Sequence, residues 1–180
     1  MKKILTYPEI KKAIQAYRDL EYRIVLTQGT YDLVHVGHGR YLEAAKKEGD
    51  ILIVGVDSDE KVRQRKGEGR PIVPEDERVE MLTYLSSVDH VVVKPLSAAK
   101  WELIKLVRPD VLVATKATYS DQQLVQLKKY CGQIKVLEPK ATTSTSAKIR
   151  LMQIRTAKQL LGDLKERLLT QIEEVVKDFN

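Results

Sequence analysis

Five short aliphatic runs divide the chain, and a helix-patterned stretch follows almost every one. The runs are Arg23–Thr27, Ile51–Val56, Val91–Val93, Val111–Val113 and Ile134–Leu137. Each is nearly continuous in apolar residues rather than alternating. That is the signature of parallel strands covered on both faces, because an alternating strand keeps one face in water. The helical stretches are Pro8–Leu20 ahead of the first strand, then Gly37–Glu48, Pro74–Leu85, Ser97–Val107 and Ser120–Tyr130. Gly49, Pro109 and Gly132 stop three of them, and Pro74 with Glu75, Asp76 and Glu77 starts another. Strand–helix alternation of this kind predicts an α/β fold: a Rossmann-like, doubly wound, five-stranded parallel sheet.

The tail follows a different rhythm. Leu161, Leu164, Leu168, Ile172, Val175 and Phe179 recur at spacings of three and four, which predicts an added amphipathic C-terminal helix. The expected organisation is a domain over residues 1–155 and a helix over 156–180. That helix either covers its own domain or joins two subunits of a homodimer.

Composition narrows the partners. With 43% hydrophobic and 31% charged residues, the 180-residue chain can build a core and is not disordered by composition. The single Cys131 allows no internal disulfide and fits a reducing compartment. No apolar run reaches the ~20 residues that span a bilayer, and Met1–Pro8 lacks the apolar core of a signal peptide. A cytoplasmic protein without a membrane partner is the expectation. The net charge of +6 points toward nucleic acid only weakly. Acids and bases are interleaved, and no basic run is punctuated by aromatics. The densest basic stretch, Lys61–Arg70, suits a solvated surface or a phosphorylated small molecule.

Ligands of open α/β sheets bind beyond the carboxyl ends of the strands. The residues after the first strand are Gly29-Thr30-Tyr31-Asp32-Leu33-Val34-His35-Val36-Gly37-His38. Gly29 permits close backbone approach. His35 and His38 flank Gly37 at a helix start, where first-turn amides and the helix dipole attract anions. Two imidazoles beside such amides can hold the charge that builds on a reacting phosphate. A metal pair and two structural histidines are the competing readings, and the metal reading lacks a third ligand at a supporting spacing. His90 stands alone before a strand and reads as structural.

The segment Gly29–His38 resembles the G-[TC]-F-D-x-x-H-x-G-H signature of the cytidylyltransferase-like nucleotidyltransferases. Val54–Asp59 is similar to the family's V-x-V-[NS]-[ST]-D. Lys66-Gly67-Glu68-Gly69-Arg70-Pro71-Ile72 resembles the K-G-x-x-R-P-[IV] segment of the heptose-phosphate adenylyltransferases. Glu77-Arg78 and Ser144-Thr145-Ser146 look like the [EQ]-R and S-T-[ST] that open later family helices. Within the family the adenylyltransferase domain of ADP-heptose synthesis is most similar, followed by glycerol-3-phosphate cytidylyltransferase. The resemblance implies the HxGH nucleotidyltransferase fold and transfer of NMP from an NTP, ATP before CTP, to a phosphorylated sugar or polyol. Mg²⁺ would accompany the NTP, with no protein metal cage. His35, His38 and Lys66 would be catalytic. Gly29, Thr30, Tyr31, Gly37, His38, Ser144, Thr145 and Ser146 would bind nucleotide. Asp32, Lys66, Arg70, Arg78, Thr115 and Lys116 would meet substrate or phosphate. Two departures stand out: Tyr31 replaces the usual Phe, and Thr115-Lys116-Ala117 replaces a Gly-Gly-Asp. The altered loop motivates a reading of another class, a non-catalytic nucleotide-binding protein.

Overall fold

The computed structural model describes residues 3–116, 118–138 and 145–177, without the side chains of 145, 146 and 173–177. The chain divides into two compact units, residues 1–141 and 142–180.

The first unit runs α1 (Tyr7–Asp19), β1 (Ile24–Gly29), α2 (Val36–Lys46), β2 (Ile51–Asp57), α3 (Asp59–Lys66), α4 (Glu75–Thr83) and β3 (His90–Lys94). It continues with α5 (Glu102–Val107), β4 (Val111–Ala114), α6 (Asp121–Leu127) and β5 (Gln133–Val136). The five strands form one sheet in the order β3-β2-β1-β4-β5, and every pairing is parallel. The chain winds outward from β1 to β3, then returns to place β4 on the other side of β1. The strand order therefore switches between β1 and β4, where such sheets bind ligands.

Side-chain alternation along the strands builds a core on each face. Ile24 and Leu26 of β1 face Ile10 and Ile14 of α1, Ile104 and Val107 of α5, and Leu127. Val25, between them, faces Leu42 and Ala45 of α2 and Val79 and Leu82 of α4. Both layers cover β1 to β4, which are mostly buried and apolar, whereas the edge strand β5 alternates Gln133, Ile134, Lys135 and Val136 and is only partly covered.

Two elements differ from the sequence expectation. Helix α3 overlaps the basic Lys61–Arg70 stretch, where the sequence predicts no helix. Only Val62 of its eight residues is buried, so no apolar stripe announces it. It is held instead by the Ser58 cap on the Lys61 amide (3.3 Å) and by Asp59 and Glu60 in its first turn. The helix expected over Ser97–Val107 begins only at Glu102, after a left-handed Trp101.

The second unit contains α7 (Thr145–Lys177), an unbroken 33-residue helix, about 50 Å long at 1.5 Å per residue. Arg155, the expected end of the main domain, lies inside this helix. Leu160, Leu161, Leu164, Leu168, Leu169 and Ile172 are all exposed.

Candidate active site

The turn leaving β1 is strained. Tyr31 and Leu33 both have left-handed backbones (φ 54° and 51°), rare for bulky side chains and commonest where function fixes the geometry. The Tyr31 ring is buried and folds back over Gly29. A Cβ on Gly29 would lie 2.9 Å from that ring. The glycine is thus required first by Tyr31, whatever it does for a ligand.

This turn delivers His35 to the N-cap of α2. Its Nδ1 accepts from the Gly37 amide (3.1 Å), while Nδ1 of His38 accepts from the His35 amide (3.3 Å). The two imidazoles form a reciprocal capping box, with ring centroids 4.2 Å apart. An Nδ1 that accepts carries no proton, so each neutral ring holds its hydrogen on Nε2. Both rings are partly exposed and Gly37 is buried between them. The local fold thus sets two Nε2–H donors at one helix N-terminus, an arrangement suited to negative charge.

Asp32 is buried and spent within the protein. It accepts from Arg70 (2.7 Å) and from the amides of Ile72 (3.1 Å) and Val73 (3.0 Å). These contacts tie the histidine turn to the segment before α4. Asp32 and Arg70, expected to meet substrate, are instead engaged with each other. Burial alone would raise the Asp32 pKa. The Val73 and Ile72 amides and the Arg70 guanidinium outweigh it and hold the carboxyl below its ordinary 3.8. A depressed carboxyl stabilises the fold above its unfolded pKa and loses that contribution as pH falls through its folded value. Asp32→Asn is therefore expected to lower urea stability by about 1–3 kcal/mol at pH 7. The gap from wild type should stay constant down to about pH 5 and shrink below about pH 4, as followed by Trp101 fluorescence.

Arg78, also expected near phosphate, is a core residue. Its guanidinium is fully buried and donates to Thr30 O, Asp57 O (2.9 Å), Val73 O (3.0 Å) and Asp59 Oδ1 (2.8 Å). Every partner given for it is internal and its side chain is fully buried, so it positions the Thr30 and Asp57 strand ends rather than facing a ligand.

A second set of residues escaped the sequence reading. Asp57, at the end of β2, bridges Lys94 (2.7 Å) and Arg65 (2.9 Å). Arg65 also donates to Thr30 Oγ1 (2.7 Å), and Lys94 to Gln28 Oε1 (3.0 Å). Burial would raise the Asp57 pKa, but Lys94, Arg65 and Lys61 outweigh it and keep the carboxylate ionised. Burial lowers the Lys94 pKa despite its acid partner. Lys94 was recognisable only from its place at the carboxyl end of β3. Lys66 ends α3 and is exposed. Partial burial lowers its pKa, and the nearby Arg65 and Arg70 charges lower it further.

These groups border a cleft of about 610 Å³ at the carboxyl ends of β1, β2 and β3. Thr118 and Tyr119 line it, whereas Thr115 and Lys116 do not. Thr115 bonds Thr118 (2.9 Å), and Lys116 makes an exposed pair with Glu138 (2.8 Å), a contact worth little. Ala117 and Ser144 lie outside the described residues. So do the side chains of Thr145 and Ser146, whose backbones open α7. His90 is buried and bonded through Nε2 to Tyr17 (2.5 Å), the structural role expected of it.

A family model described as cytidylyltransferase-like matches residues 26–160. The bifunctional protein HldE of Aliarcobacter butzleri (strain RM4018) is 39% identical over 149 residues, covering 82% of this chain and 31% of that protein. The bifunctional protein HldE of Alkalilimnicola ehrlichii is 42% identical over 154 residues, covering 83% and 32%. The chain thus spans about a third of the length of these curated relatives. Among solved structures, a lipopolysaccharide core biosynthesis protein from Thermoplasma volcanium GSS1 superposes with TM-score 0.56 at 26% identity, over 66% of this chain and 96% of that one. A pantoate-beta-alanine ligase from Francisella tularensis, 16% identical with TM-score 0.55 over 81% of this chain and 69% of that one, shares the fold alone. With the histidine turn, the parallel sheet and most of the length matched, the chain belongs to the cytidylyltransferase-like family.

Proposed function

We propose that the protein is an adenylyltransferase that moves AMP from ATP to the phosphate of a sugar, a D-glycero-D-manno-heptose 1-phosphate, and releases pyrophosphate. The observation that carries this reading is the reciprocally capped His35–His38 pair at the α2 N-terminus, beside the sheet's switch point. Similarity to the HldE proteins and the Lys66–Ile72 segment favour the heptose acceptor and ATP.

An oxygen of the acceptor phosphate attacks the α-phosphorus in line. The bond from that phosphorus to the bridging oxygen breaks, and its electron pair leaves with pyrophosphate. No covalent enzyme intermediate is required, so the protein's work is positioning and charge stabilisation. His35 and His38 donate from Nε2 to the phosphoryl oxygens as charge accumulates. Lys66 offers a cation to the acceptor or the leaving pyrophosphate. Asp32, Arg70 and Arg78 act at one remove, by fixing the turn that carries the histidines. Mg²⁺ bound with the triphosphate would supply further charge neutralisation. Among the described residues no group of three or more His, Cys, Asp and Glu is placed to hold a metal ion.

Pyrophosphate release with ATP or CTP against heptose 1-phosphate or glycerol 3-phosphate tests the reading. ATP with heptose 1-phosphate should exceed the other three combinations at least tenfold in kcat/KM, and a CTP–glycerol 3-phosphate preference would overturn it.

We further infer a cytoplasmic homodimer assembled through α7, whose exposed leucines form an apolar stripe. Deleting residues 156–180 should convert a dimer into a monomer by light scattering. An unchanged mass would place the dimer contact elsewhere.

A further inference from the structure

The apolar stripe of α7 contains a stricter period. Ile154, Lys158, Leu161, Lys165, Leu168 and Ile172 follow one another at spacings of four and three in turn, and Leu151 extends the series one step earlier. A repeat of 3.5 residues keeps one narrow seam of a helix facing a partner helix. Residues 151, 158, 165 and 172 take the a positions of the heptad, and 154, 161 and 168 the d positions. Every d position is Leu or Ile, and lysine fills the two central a positions. The whole seam is exposed on α7.

The lysines narrow what can cover it. A lipid surface or a broad apolar protein face would take two ammoniums into the middle of the contact, which is costly. Between two helices a lysine at an a position lays its stem along the neighbour and returns its charge to water at the edge.

They also decide direction. In a parallel pair each a residue meets its own copy, so both lysines would face lysines. In an antiparallel pair an a residue faces a d residue. With the pair centred on residue 163, Lys158 faces the partner's Leu168, Lys165 the partner's Leu161, and Ile154 the partner's Ile172. Leu164, exposed beside the seam, then lies against its own copy. Charge agrees. Residues 147–159 carry Lys148, Arg150, Arg155 and Lys158 with no acid, whereas 160–172 balance Asp163 and Glu166 against Lys165 and Arg167. Parallel pairing would set two basic halves side by side, and antiparallel pairing separates them.

We propose that α7 pairs with the α7 of a second copy as an antiparallel two-stranded coiled coil whose direction is set by Lys158 and Lys165. The proposal rests on the reading of α7 as the dimer element and adds the geometry of the partner and the residues that select it.

Spin-label distances on the full chain test it, with Cys131→Ser removing the native thiol and labels placed at Gln153→Cys or Asp163→Cys. Residue 153 is level with the partner's residue 173, so its two labels should lie at least about 30 Å apart, at 1.5 Å per residue. At residue 163 the labels should come within about 20 Å, because paired helix axes are only about 10 Å apart. Lys158→Leu with Lys165→Leu should raise the thermal midpoint of the dimer and add a short-distance population at 153. Equal distances at 153 and 163 in the wild-type background overturn the proposal. An unchanged 153 distribution in the double-leucine variant removes the lysines as its determinant. Truncation separates this from the broader reading. A dimer that survives deletion of residues 156–180 overturns α7 as the dimer element, whereas a dimer lost on deletion but showing equal distances overturns only the antiparallel pairing. A monomer that sediments with anionic phospholipid vesicles overturns both.

Discussion

Alanine at His35 or His38 is expected to lower kcat roughly 10²–10³-fold, the effect of removing one preorganised donor to a developing oxyanion. The two losses should be far from additive, because each ring holds the other's capping geometry. Position 35 also caps α2, so His35→Ala should cost about 1 kcal/mol of stability as well. His35→Asn separates the roles: asparagine is a good N-cap without an imidazole. It should restore the urea midpoint and leave the rate low. Near-wild-type turnover in both alanine variants would remove the histidines from the chemistry.

Arg78→Met should cost about 3–5 kcal/mol in urea unfolding. The substitution strips donors from Thr30 O, Asp57 O, Val73 O and the Asp59 carboxylate at once, and buried acceptors without partners are expensive. Arg78→Lys should recover only part of the loss. A single ammonium cannot reproduce a planar fork that reaches four acceptors. At denaturant-free conditions the surviving folded fraction should show lowered kcat as well, since Thr30 and Asp57 anchor the two strand ends nearest the site. A loss below 1 kcal/mol would mean that the guanidinium contributes little to the fold.

The sequence exposed the features that depend on repetition. Doubly covered strands must be apolar throughout, so β1 to β4 could be located from composition of short windows alone. The Gly29–His38 segment was readable because phosphate chemistry at a strand end demands a narrow set of residue types. What stayed hidden depends on contacts between distant segments. Arg78 reads as a cation for substrate or phosphate, and only the fold reveals its burial beneath two strand ends. Asp32 looks like a substrate carboxylate until Ile72 and Val73 come round to meet it. Helix α3 has one buried residue and no stripe. Lys94 and Trp101 belong to the cleft because β3 pairs with β2 in a register that sets Lys94 opposite Asp57, and register cannot be read from the linear order. The continuous α7 ran past the expected break at Arg155 because no glycine or proline interrupts its first part and Gly162 is tolerated within it.

The fate of isotopic label tests the central claim most directly. The protein is incubated with heptose 1-phosphate and ATP labelled separately at the α- or γ-phosphorus. In-line adenylyl transfer predicts that α-label appears in the sugar nucleotide and γ-label in pyrophosphate, in equal amounts, with both losing roughly 10²–10³ in rate in His38→Ala. Appearance of γ-label on the sugar, or no transfer of α-label under conditions where both substrates bind, would contradict it.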